Sequence, residues 1–163
     1  MNKKVEMLLP MWKKYMNEIG EKETDEELLK GLISRINIAD ANEDVSFDVI
    51  WKDNHAAGFA FYSVDGGIKG VIPPGYGYIM EFYVEETWRR KGIGTDCVRR
   101  ICERLKKVGC ENIYLTSVPG SEEFWKNCGF TRRPHTDASV LDYIPVLSAY
   151  ERFLSYNLRQ LYE

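Results

Sequence analysis

The stretch 80–94, MEFYVEETWRRKGIG, decides how this chain is read. An apolar strand runs into a short polar turn. The basic run Arg89-Arg90-Lys91 then stands against Gly92-Ile93-Gly94, and helix-periodic residues follow at once. A helix N-terminus has unpaired backbone N–H groups and a partial positive charge. Glycine lacks a Cβ, so an anionic group can approach the backbone closely. Together these features make a cradle for a phosphate or pyrophosphate, with basic side chains at its rim. A GxG alone more often marks a plain helix start with a solvated basic turn. A P-loop is excluded, because no Gly-Lys-Ser/Thr follows. The dinucleotide fingerprint also fails: its third glycine is missing, and the chain goes on as Thr95-Asp96-Cys97.

The totals set the frame. With 163 residues the chain has the size of one domain, so one domain is expected over 1–163. Hydrophobic residues are 44% and charged residues 29%, the balance of an ordinary globule. Lys plus Arg number 22 against 25 Asp plus Glu, which argues against a nucleic-acid binder. No long apolar run marks a membrane span, and MNKKVEMLLP lacks the apolar core of a secretion signal. Cys97, Cys102, Cys110 and Cys128 form no CxxC pair, and His55 and His135 are isolated. No metal site is therefore expected, and free thiols point to the cytoplasm.

Periodicity predicts helices over 5–20 and 24–36, with Thr24 as N-cap, Glu27 completing a capping box, and Pro10 near the first turn or at a kink. Val45–Lys52 and Ala57–Tyr62 read as strands around a turn at Asp53-Asn54. Asp65-Gly66-Gly67 and Pro73-Pro74-Gly75 read as breaks, and Tyr78–Val84 as a central strand, apolar on both faces. Ile93, Cys97, Ile101, Leu105 and Val108 mark an amphipathic helix ended near Gly109. A strand over Asn112–Val118, a short helix stopped by Gly129, and a final helix over about 146–162 complete the reading. The last helix carries a stripe of Leu147, Tyr150, Leu154, Leu158 and Leu161. It either covers the chain's own sheet or forms the seam of a homodimer.

WRRKGIG resembles the R/Q-x-x-G-x-G/A acyl-CoA motif of the GNAT superfamily of N-acetyltransferases, with Arg89, Gly92 and Gly94 at its defined positions. EEFWKNCGF is similar to the family's F-Y-x-x-x-G-F signature through Phe124, Gly129 and Phe130. The resemblance covers about 57–130. It implies a mixed α/β fold whose mostly antiparallel sheet, flanked by helices, is splayed between its fourth and fifth strands, here Tyr78–Val84 and Asn112–Ser117. It also implies acetyl-CoA as cosubstrate, without metal. The pyrophosphate would lie on the backbone of Arg90, Lys91, Gly92, Ile93, Gly94 and Thr95. The pantetheine would run along Phe82, Tyr83 and Val84, pairing strand-like with the backbone of Phe82 and Val84. Family members often carry a tyrosine as general acid where this chain has Trp125, and an asparagine where it has Val118. An indole N–H donates but does not titrate usefully. Trp125 is thus either a wall of the cofactor site or a core anchor, and Tyr83, Tyr114 and Tyr143 are the alternative acids.

The implied activity is acetyl transfer from acetyl-CoA to a primary amine of a small molecule or peptide, by direct attack in a ternary complex. The oxyanion would be held by a backbone N–H near Val84. The alternative is a non-catalytic acyl-CoA sensor. Glu81 interrupts the apolar strand and shares a face with Ile79 and Tyr83. A carboxylate there needs a partner. Either an arginine from a neighbouring element satisfies it, or it binds or deprotonates the acceptor amine, as an acidic residue on this strand does in some relatives.

Overall fold

The computed structural model describes residues 2–66, 74–118, 120–132 and 142–145. The final helix expected over about 146–162, His135, and Pro73 of the second break lie outside them. Two helices come first: α1 (Lys3–Glu18) and α2 (Asp25–Ala41). Then follow β1 (Val45–Lys52), β2 (His55–Val64), β3 (Gly77–Val84), a 3-10 turn at Glu86–Trp88, and α3 (Ile93–Lys107). The last elements are β4 (Ile113–Thr116), α4 (Glu122–Asn127), β5 (Phe130–Arg132) and β6 (Asp142–Pro145). Hydrogen bonding orders the strands β1-β2-β3-β4-β6-β5. The sheet is mixed: β3 and β4 are parallel, and β6 is antiparallel to both β4 and β5.

By contact density the chain divides into two compact units, Met1–Tyr62 with Glu81–Gly94, and Ser63–Met80 with Thr95–Glu163. In the first unit, the Asn2 side chain caps α1 through Lys4 N at 2.7 Å, and Thr24 caps α2 through Glu27 N at 3.1 Å. These caps satisfy donors that would otherwise face water. Pro10 sits well inside α1 rather than in its first turn, because the helix begins at Lys3. Its missing N–H leaves the Glu6 carbonyl without its helical partner. The hairpin of β1 and β2 turns on Asp53 and Asn54, both left-handed at φ 49° and 64°, as a two-residue type I′ turn requires. Trp12, Tyr15, Phe47 and Phe59 form an aromatic core, with ring centroids of Trp12–Phe59 and Tyr15–Phe59 at 5.5 and 5.3 Å.

In the second unit, α3 lays Val98, Ile101 and Leu105 into a core with Ile113 and Leu115. The expected stripe is corrected at both ends. Val98 takes a buried place, whereas Val108 follows the helix end and is 66% exposed. A Cβ on Gly77 would come within 2.8 Å of Leu105, so glycine lets the helix lie close to the strand. The register Gly77↔Ile113, Tyr78↔Tyr114, Ile79↔Leu115 is short, and Tyr78 and Tyr114 stack at 4.4 Å. Strands β5 and β6 were not expected from the sequence; β6 is only four residues long and ends on Pro145, a residue that cannot donate to a ladder.

Candidate active site

Glu81 to Gly94 belong to the first unit. Glu81 is held from two helices. Its Oε1 accepts from the Tyr15 hydroxyl of α1 at 2.7 Å, and its Oε2 accepts from Arg35 Nε of α2 at 2.6 Å. Its side chain is 13% exposed. A carboxylate this sheltered costs several kcal/mol unless paired, and a charge-assisted bond with a second donor supplies the pairing. The partner arginine is the bland alternative offered by the sequence, and it is present. Glu81 is not thereby sealed, since each carboxylate oxygen carries two lone pairs.

Beyond β3 the chain turns through Glu86–Trp88, and Arg89 folds back. Its Nε donates to the Val84 carbonyl at 2.7 Å, and its Nη2 donates to Glu18 at 2.8 and 3.0 Å. Its guanidinium also lies 5.3 Å from the centre of the Tyr83 ring. Arg89 is therefore a brace for the loop as well as one of the basic side chains at its rim. The Val84 carbonyl expected to pair with pantetheine already carries one bond from this brace. Lys91 leans over Trp88, its Nζ 5.3 Å from the ring centre, and Arg90 has no ion pair among the described residues. Arg90 is left-handed at φ 62°, a conformation that L side chains adopt at a cost and that recurs at functional sites.

Gly92 is left-handed at φ 80°, and a Cβ there would meet nothing within 4 Å. Among the described residues, no backbone carbonyl accepts from the N–H groups of Arg90, Lys91, Gly92, Ile93, Gly94 or Thr95. A row of donors at the start of a fifteen-residue helix, with open space before it, is what an anionic group needs.

In the second unit, Trp125 is buried, with Phe124 and Phe130 edge-on at 4.9 and 5.4 Å, so its ring anchors α4 on β5. Tyr114 donates to Asp65. Tyr143 pairs by register with Leu115. Burial pushes the Cys128 thiol up to about 11, against a weaker opposite pull from its hydrogen bond with Thr95. Burial pushes Tyr83 up to about 12, helped by Glu85 and Glu18. Both therefore stay protonated at neutral pH. No cluster of His, Cys, Asp and Glu among the described residues could hold a metal ion, and no described helix is long and apolar enough to cross a membrane. Sequence reasoning missed Arg35 and Tyr15, which lie 46 and 66 residues from Glu81. No local pattern joins them.

Fold and loop define a mixed α/β protein with a strand, a glycine turn and a helix start suited to a diphosphate. The chain belongs to the Acetyltransferase (GNAT) family, whose profile matches residues 6–130. It is similar to the PaiA N-acetyltransferase of Thermoplasma acidophilum, solved in complex with coenzyme A: TM-score 0.62, 19% identity, covering 86% of this chain and 89% of that one. It is also similar to an acetyltransferase of Clostridium acetobutylicum solved with acetyl-CoA: TM-score 0.65, 22% identity, covering 83% and 88%. A stretch of 57 residues is 30% identical to the "Probable glucosamine 6-phosphate N-acetyltransferase 2" of Oryza sativa subsp. japonica. That match spans 35% of this chain and about a third of the relative, 34%.

Proposed function

We propose that this chain is a cytoplasmic single-domain enzyme that moves an acetyl group from acetyl-CoA to a primary amine. The observation that carries the reading is the row of N–H groups from Arg90 to Thr95 without a backbone acceptor, set at the start of α3. These residues take the pyrophosphate of coenzyme A, and Arg89 keeps the loop against the end of β3. The β3–β4 register ends at Ile79, three residues before Phe82, which supports the use of the Phe82–Val84 backbone by pantetheine. The thioester is already activated. The amine nitrogen attacks its carbonyl carbon, the C–N bond forms, and a β3 backbone N–H near Val84 holds the oxyanion. The C–S bond then breaks, and coenzyme A leaves as thiolate or thiol. Taking a proton on Glu81 Oε2 would forfeit the charge-assisted bond from Arg35. We therefore assign Glu81 to holding the amine, with water removing the proton.

Two variants test this reading. Gly94 is not left-handed, so Gly94→Val adds bulk to the cradle without forcing the backbone. Affinity for coenzyme A should fall at least ~10-fold, about 1.4 kcal/mol, with unfolding unchanged. Unchanged binding in calorimetric titration rejects the cradle. Glu81→Gln should bind coenzyme A normally and lower kcat/KM on an amine roughly 10- to 100-fold, the loss of a hydrogen bond to a charged group; an unchanged kcat/KM leaves Glu81 a structural residue. The second reading, an acyl-CoA sensor, rests on Trp125 being buried where relatives carry a tyrosine acid. A sensor binds coenzyme A and releases no thiol with any amine.

A further inference from the structure

Arg35 is held from several sides, yet one edge of its fork is unused. Its Nε is bound to Glu81 at 2.6 Å, its Nη1 donates to the Gly31 carbonyl at 3.1 Å, and its guanidinium stacks 4.8 Å from the ring centre of Trp12. The stacking ring is itself immobile: Trp12 is 0% exposed, among Tyr15, Phe47 and Phe59. No acceptor for Nη2 stands among the described residues, and the Arg35 side chain is 32% exposed. A guanidinium edge already fixed in place gains a ligand with little loss of rotamer freedom. It suits a planar or tetrahedral oxyanion better than any neutral group.

We infer that Arg35 sets the acceptor class: the amine substrate also carries an oxyanion, a carboxylate or a phosphate, which Nη2 of Arg35 takes while Glu81 holds the amino end. The inference rests on the acetyl-transfer reading and adds its substrate chemistry. Arg35 and Glu81 together present a positive and a negative charge side by side, so a ligand with both charges is matched twice. A plain amine is matched once and leaves the outer edge of Arg35 to water. Glu81 alone would favour any cation, and the adjacent guanidinium repels one that comes without its own anion.

The experiment uses full-length protein saturated with coenzyme A and matched pairs of amines: glucosamine and glucosamine 6-phosphate, tyramine and tyrosine, cadaverine and lysine. Calorimetric titration should find at least one oxyanion-bearing member bound ~10-fold or more tightly than its partner. In Arg35→Gln that preference should fall to within about 2-fold, with coenzyme A affinity unchanged. Arg35→Lys keeps a charge toward Glu81 but lacks the fork's outer edge, so it should lose most of the preference as well. It decides the matter if Arg35→Gln does not fold. Equal binding within every pair, no binding of any member, or a preference that survives both substitutions overturns the inference. Failure of the acetyl-transfer reading shows separately, as binding with no thiol released from acetyl-CoA.

Discussion

Tyr83 and Cys128 are side chains whose ionisation this fold opposes, and that gives the molecule a readable alkaline limit. Tyr83 lies in the first unit's core, 5.6 Å from Phe59 and 5.8 Å from Tyr15 between ring centres, with Arg89 above it. Its ionisation is raised from 10.0 to about 12, first by burial and then by Glu85 and Glu18. Cys128 is raised from 9.0 to about 11, again by burial. Between those limits the folded chain binds more protons than the unfolded one, so stability present below pH 9 is lost as pH rises through 9 to about 12. Thermal unfolding followed in steps across that range should show Tm falling, and falling less in the Tyr83→Phe, Cys128→Ser double variant. Equal slopes in the two proteins reject the assignment. The same residues show where the sequence stops being informative. Glu81 stands out because a lone acid breaks an apolar strand, and the cradle stands out because glycine and arginine spacing is local. The partners of Glu81 come from two separate helices, and burial of Tyr83 depends on rings of α1 and β2, which no spacing along the chain encodes.

Local rules account for most element boundaries. Thr24 caps α2 as its spacing to Glu27 predicts, and Asp53-Asn54 turns the hairpin because both residues tolerate positive φ. Gly129 ends the α4 segment at φ 97°. What escapes those rules is set by close approach in space. Gly58 stands in the middle of β2, where glycine is a poor strand former, and nothing near it in the sequence explains it. A Cβ there would lie 2.0 Å from the Tyr83 carbonyl oxygen, a backbone atom of β3 that no rotamer change can move aside. Glycine thus lets β2 press against the strand that carries Glu81, and the Glu85 N–H then reaches the Ala57 carbonyl at 2.7 Å. Gly58→Ala should therefore destabilise the fold by about 2 kcal/mol, the cost of overpacking, rather than raise strand stability. Denaturant unfolding measures it; a change under about 0.5 kcal/mol shows that β2 yields without cost.

At the scale of the whole molecule, the two compact units differ from independent domains in where the chain crosses between them. The crossings fall between Tyr62 and Ser63, between Met80 and Glu81, and between Gly94 and Thr95. These places lie inside β2, inside β3 and inside the first turn of α3. Independent domains are joined by exposed linkers in which few contacts cross. A chain that changes unit within its strands cannot melt one unit and leave both strands whole. We therefore expect a single cooperative transition in calorimetry, with the calorimetric enthalpy equal to the van't Hoff value. Saturation with coenzyme A sharpens the test, because a ligand stabilises only the unit or units that bind it. Ligand at ~100 times Kd adds about 2.7 kcal/mol. For a chain of this length that is a rise in Tm of roughly 5–10 °C. The whole transition should move by that amount as one peak. Two peaks, of which coenzyme A moves only one, would mean that the units unfold separately and that the cradle belongs to one of them alone.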